Sequence, residues 1–349
     1  MSRNWLKWMP AVAVPVLIAS AAVAIPLSAN AAVNLPSMTP ARVLALAAGE
    51  KVTAFSGTIS QTSGLGLPAL PTTGADASAG SALELLTGSH TARLFVDGST
   101  KQRVQVLDRM AERDLVRNGS DMWLYDSKKK TAVHSTLAER TTQTPQDPGS
   151  ILTPDQLASK FLASVDSSTT VSLGSDRRVA HRTAYDLVLT PKAGDTLVRS
   201  ISIAVDSETG LPLSVDVFAQ SQDDPAFSVG FSTIDLGAPD AGLFTFTPPA
   251  GAKVTEKAPK VDVVPTTAPK AESPKPTVSG TGWDAIVTIP AGENSSRAQS
   301  SPLFGKLTTA VAGGHLFGTS LVNVLLTDDG RVFAGSVPVS KLQAAAATK

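Results

Sequence analysis

From Thr53 onward the apolar residues of this chain recur at every second position, and that period decides most of what it can fold into. Tyr185, Leu187 and Leu189 alternate with polar or small neighbours, as do Ile201, Ile203 and Val205. Leu213, Val215 and Val217, then Phe227, Val229 and Phe231, repeat the pattern. Successive side chains of a strand point to opposite faces, so each run predicts a strand with one greasy and one wet side. The turns between runs point to antiparallel hairpins. Leu94 and Val96 oppose Val104 and Val106 across Asp97-Gly98, and Asn118-Gly119 joins Asp114–Arg117 to Asp121–Asp126. Asn-Gly is a strong hairpin signal because both residues tolerate positive φ. Lys128, Lys129 and Lys130 mark the next turn, and Thr131–Leu137 returns. The expected fold is mainly β with α: an antiparallel sheet with one apolar face that is covered and one wet face.

Two helices are expected to supply the cover. Thr39 caps one that runs from Pro40 to Val52, and Thr153-Pro154-Asp155-Gln156 opens a second with a capping box. Leu157, Phe161, Leu162 and Val165 fall on one side of the second helix. Two short helices are a small cover for nine or more strands, and an underfilled antiparallel sheet tends to curl around a cavity. The alternation assigns its lining to Leu94, Val96, Val104, Val106, Trp123, Tyr125, Phe161, Tyr185, Leu187, Leu189, Ile201, Ile203, Leu213, Val215, Val217 and Val229. Each of these also fits an ordinary core position. Burying a sixteen-carbon chain there would gain about 12 kcal/mol before binding entropy, at ~0.8 kcal/mol per methylene. The Gly64–Ser81 stretch, rich in Gly, Pro, Ala, Thr and Ser, is the candidate lid.

Both ends of the chain carry further information. Arg3 and Lys7 precede an uncharged stretch from Met9 to Leu27, followed by Ala29-Asn30-Ala31. That is the pattern of a cleaved signal peptide over 1–31. The alternative is a retained membrane anchor, which needs ~20 apolar residues, but Pro10, Pro15 and Pro26 interrupt the stretch. Export without a single cysteine suits a bacterial cell envelope. The first folded unit is expected over 39–251. Residues 252–280 then shift to Pro, Lys, Thr, Val and Ala with no period, a semi-extended linker. Residues 281–349 form a small α+β tail, marginal as an independent core and expected to dock on the main unit or on a partner. Its strands are placed at Trp283–Ile289, Leu321–Thr327 and Arg331–Val337, and its helices at Pro302–Val311 and Ser340–Ala347.

The chemistry is more notable for what it excludes. Zero cysteines rule out a thiol nucleophile and a lipidated N-terminal Cys, and the four histidines lie far apart. Thirty basic residues balance thirty acidic ones, which leaves no basic stripe for nucleic acid. Ser127 and Lys130 match a Ser-x-x-Lys pair, yet they sit in a lysine-rich turn. Gly280-Thr281-Gly282-Trp283 mimics a dinucleotide fingerprint but follows a proline linker rather than a strand. No catalytic residue, cofactor or metal is expected. The partner is expected to be a lipid or acylated lipoprotein, with a membrane-anchored regulatory protein as the alternative suggested by the linker and tail.

Val116-Arg117-Asn118-Gly119-Ser120-Asp121-Met122-Trp123-Leu124-Tyr125-Asp126 resembles the turn, aromatic strand and second turn of the envelope lipoprotein-carrier (LolA-like) superfamily. That group includes mycobacterial lipid-binding lipoproteins and sigma-factor regulatory sensors of the RseB/MucB type. Tyr185–Pro191, Val205–Pro212 and Phe244–Ala252 are similar to further motifs in the same order, over roughly Thr39 to Val254. The resemblance implies an unclosed antiparallel barrel whose helix-covered concave face holds acyl chains. The Pro-rich linker and small tail resemble the two-domain sensors, which implies an anti-sigma-type membrane protein as the alternative occupant.

Overall fold

The computed structural model describes residues 33–49, 52–67, 88–108, 111–137, 153–257, 276–292 and 304–348. Its contacts divide the chain between Asn34 and Leu35, and the body described below belongs to the part from Leu35 to Lys349. The predicted leader over 1–31 and most of the predicted lid lie outside the described residues.

A helix, α1 (Pro40–Ala47), comes first, followed by β1 (Ala54–Ser63) and a meander of β2 (Gly88–Asp97), β3 (Lys101–Asp108), β4 (Ala111–Asn118), β5 (Asp121–Asp126) and β6 (Thr131–Thr136). Helix α2 (Pro154–Ala163) interrupts the strands. After it come β7 (Thr169–Leu173), β8 (Arg177–Val179), β9 (Arg182–Pro191), β10 (Val198–Asp206), β11 (Pro212–Ala219), β12 (Pro225–Asp235) and β13 (Lys253–Lys257). Among the described residues these make one sheet ordered β13-β6-β5-β4-β3-β2-β1-β12-β11-β10-β9-β7, with β8 also on β9. Every pairing is antiparallel except β13 on β6. The long-range β1–β12 pair joins the meander to the second set of hairpins. Because β13 and β7 end the order, the sheet stays open, as expected from the sequence.

Alternation and register together define one continuous apolar face. Leu173, Leu187, Ile203, Val215 and Val229 are successive cross-strand partners. Phe231 then faces Ile59, and beyond β1 the row runs Leu94, Val104, Leu115, Leu124, Val133. We call this the inner face. Both helices lie on its β7–β12 half, with Val43, Ala47 and Ala158 buried against it. Thr153 caps α2 with the expected reciprocal bonds: its hydroxyl accepts from Gln156 N, and the Gln156 side chain accepts from Thr153 N.

Helix α1 stops at Ala47, short of the expected Val52. Its last turn abuts the β10–β11 turn, where Gly210 (φ 75°) comes so close that a Cβ would collide with the Leu46 carbonyl. The first residues read as linker, Lys253–Lys257, instead lie as a strand on β6, with Lys253 N donating to Lys130 O at 2.8 Å.

A second sheet contains β14 (Thr277–Ser279), β15 (Ile286–Ile289), β16 (Thr309–Val311), β17 (Gly314–Gly318), β18 (Asn323–Thr327) and β19 (Val332–Gly335), ordered β14-β15-β19-β18-β17-β16. The helix expected at Pro302–Val311 is only α3 (Phe304–Leu307). Thr309-Ala310-Val311 pairs with Gly314–Leu316 instead, since Gly313 and Gly314 permit a tight reversal at positive φ. Helix α4 (Val339–Ala347) covers one side of the sheet through Leu342, above Leu325 and Phe333.

The second sheet docks on the first, as anticipated for the tail. Trp283 and Leu321 pack against the core beneath α1 and α2, and Trp283 Nε1 donates to Thr169 Oγ1 at 2.9 Å. Leu197 N and Thr196 Oγ1 both donate to Ser336 O at 2.8 Å.

Candidate functional site

The inner face carries most of the residues predicted to line a cavity, in two clusters. Leu94, Val104, Val106 and Leu213 are buried with Phe55, Ile59, Leu115 and Phe231, and Val96 packs beside them. Tyr185, Leu187, Leu189, Ile201, Ile203, Val215, Val217 and Val229 form the second cluster with the helix residues, and Phe161 packs on it from α2. Leu187, Leu189, Ile201, Ile203, Val215 and Val229 are at most 1% exposed. In this structure they are touched by α1 and α2 rather than left open.

Trp123 and Tyr125 fall on the other side. Val116 pairs with Trp123 and Leu115 with Leu124, so the inner-face residue of β5 is Leu124. Both aromatics instead meet Phe246 on the outer face, at 5.5 and 5.7 Å between ring centroids. Trp123 also stacks on His134 at 4.3 Å. All four residues of Met122–Tyr125 are apolar, so alternation cannot choose their face. The hairpin turn can: Gly119-Ser120 is the two-residue turn closed by Asn118↔Asp121, and counting back from that pair puts Leu124 opposite Leu115. The same counting would have found Leu115, which pairs with Val104.

The outer face is polar and internally bonded. Arg177 Nη1 donates to Asp216 Oδ2 at 2.8 Å, and its Nη2 to Ser202 Oγ at 3.0 Å. Ser202 donates in turn to Asp186. Burial pushes the Asp186 carboxyl above its ordinary range, although Ser202 and Arg177 pull the other way. Asp114 behaves likewise: burial raises it against a bidentate pair with Arg103, with Nε at 3.1 Å and Nη2 at 2.6 Å. Arg103 Nη1 also holds Leu243 O at 3.1 Å, which fastens the 3-10 turn Ala241–Phe244 over this face.

These arrangements bind and brace; nothing in them activates a nucleophile. Ser127 Oγ accepts from Glu112 N at 2.7 Å, and Lys130 is exposed at φ 50°. Among the described residues, no group of three or more His, Cys, Asp or Glu could hold a metal ion, and no helix is long and apolar enough to cross a membrane.

No known family and no curated protein matches the sequence. Among solved structures, the chain is similar to MucB of Pseudomonas aeruginosa in its complex with MucA. The two share 17% identity over 87% of this chain and 95% of that one, with a TM-score of 0.41. An uncharacterised conserved protein of Thermus thermophilus shares 12% identity over 62% of this chain and 98% of its own, with a TM-score of 0.36. A LolA superfamily protein of Nitrosomonas europaea shares 11% over 60% and 99%, with a TM-score of 0.26. These likenesses assign neither ligand nor partner.

Proposed function

We propose that this chain is an exported, non-catalytic envelope protein that binds an extracytoplasmic segment of a membrane-anchored regulatory protein. The observation that carries this reading is the occupied inner face. An acyl chain would need the space where Val43, Ala47, Ala158 and Phe161 already pack on Ile201, Ile203 and Val215. What the molecule offers instead is a broad surface built from two docked sheets, the kind of platform a polypeptide can span. Residues 1–31 direct export in this reading. In this reading the chain has a main unit from residue 39 through the strand Lys253–Lys257, a connector after it, and a tail module that begins with Thr277–Ser279.

The second reading keeps the lipid or acylated lipoprotein as occupant. It is favoured by the continuous apolar row from Leu173 to Val133, which would line a cleft if α2 swung away. One experiment separates the two. Mature protein is cross-linked in its own envelope, purified, and examined by native mass spectrometry together with lipid extraction. A membrane protein recovered in stoichiometric yield without lipid supports the first reading. One long-chain lipid per molecule and no protein transfers support to the second.

A further inference from the structure

The outer face holds a trough along β1. There this strand presents Ala54, Ser56, Thr58, Ser60 and Thr62, all small, between larger neighbours on both flanks. Phe95 and Arg93 stand on β2, opposite Ser56 and Thr58. Asp235 and Thr233 stand on β12, opposite the same two residues. With strands about 4.8 Å apart, the two walls are about 10 Å apart. The register shifts between Thr58 and Ile59, and Gly57 lies so close to β12 that a Cβ would collide with the Thr233 carbonyl and the Phe231 ring. The result is an open concavity of about 410 Å³ lined by these residues. That lies within the ~300–1,000 Å³ of small-molecule sites.

Its chemistry is specific. Arg93 is exposed and has no hydrogen-bond or ion-pair partner among the described residues, so five donors are free for an anionic acceptor. Across the trough, Asp235 Oδ1 accepts from Gly237 N at 2.8 Å, which leaves Oδ2 available. Thr233 Oγ1 accepts from Thr58 N at 3.3 Å and can still donate outward. Phe95 adds a half-buried apolar ring. A peptide laid here would find no backbone to pair with, because β1 is hydrogen-bonded on both edges. A ligand held by side chains alone must bring its own hydroxyls, a negative group and an apolar patch of C–H bonds. We infer that this trough binds an acidic saccharide, with Arg93 on its carboxylate, Asp235 and Thr233 on its hydroxyls, and Phe95 against its ring.

The test uses mature full-length protein and three probes: trigalacturonate, neutral maltotriose, and vesicles containing glucuronosyl diacylglycerol. Trigalacturonate is expected to shift the amide resonances of β1, β2 and β12 and to bind at least tenfold more tightly than maltotriose. Arg93→Ala should weaken it at least tenfold and Phe95→Ala several-fold. Arg93→Gln provides a second variant that keeps the bulk of the exposed side chain. Vesicles that bind more tightly than the free oligomer identify a glycolipid headgroup as the source, and the reverse order identifies a soluble polymer. Either order supports the site if it depends on Arg93. The inference is overturned if no acidic probe binds, if maltotriose binds equally, or if both Arg93 variants bind as wild type does.

Discussion

Asp206 shows how much one carboxylate can organise. Its Oδ1 accepts from Glu208 N at 3.1 Å, Thr209 N at 2.8 Å and Thr209 Oγ1 at 2.9 Å, while Oδ2 meets Arg182. Burial alone would raise its pKa, but Arg182 and Thr209 outweigh burial and hold it below the ordinary carboxylate value. A depressed folded value stabilises the fold above the unfolded pKa of about 3.9, and that share is lost as pH falls through the folded value. Asp206→Asn should therefore cost about 3 kcal/mol at neutral pH, as expected for a broken buried pair, in urea unfolding. The gap from wild type should narrow progressively below about pH 4. Asp114 and Asp186 contribute with the opposite sign. Their folded values are raised, so their share is present below the unfolded pKa and is lost as pH rises through the folded value. Ile203 makes the parallel case for the core. It is fully buried between β9 and β11. Ile203→Ala should cost about 2–5 kcal/mol in the same measurement. A residue lining an empty cleft would cost far less, so a loss under about 1 kcal/mol would favour the lipid reading.

At the scale of elements, local chemistry accounts for the parts that are legible in the sequence. The Thr153 capping box, the Asn118-Gly119 hairpin and the alternation of β9 to β12 each rest on a short-range physical rule, and each appears in the structure as expected. Thr153→Ala should remove about 1 kcal/mol, checked by thermal unfolding. What is not legible depends on partners distant in sequence. Val254 and Glu256 alternate with Lys253, Thr255 and Lys257, but only the neighbouring β6 turns that short run into a strand. Trp123 escapes the pattern because four apolar residues in succession carry no period. Thr309–Val311 is compatible with a helix until the glycines that follow set its reversal. The β8–β9 turn is hidden for another reason. Ala180 and His181 both adopt positive φ (49° and 65°), a conformation their side chains disfavour. Replacing them with Asn-Gly should raise stability by about 1 kcal/mol, read as a higher denaturation midpoint with unchanged slope.

At the scale of the whole molecule, the joint between the sheets determines whether they can act as one platform. Trp283 fills the end of the first core while its indole nitrogen bonds β7. Gly282, at φ 56°, lies against the Ser168 hydroxyl, so the segment before Trp283 packs on the turn that precedes β7. Lys341 of α4 ties Asp284, on its own side of the joint, to Asp195 across it. The Asp195 contact is exposed to solvent, so the apolar Trp283 contact should dominate the joint's stability. Trp283→Ala should then open the joint without unfolding either sheet. In hydrogen exchange, the Leu197 and Ser320 amides, which bond Ser336 and Leu65 across the joint, should lose protection. Amides within β10 and β11 should keep theirs. Uniform loss across both sheets would mean that they unfold as one unit. If the proposed partner spans both sheets, the same variant should weaken its capture even though its contact surfaces are intact. A partner held by one sheet alone would bind Trp283→Ala as tightly as wild type, and the two-sheet platform would have to be given up.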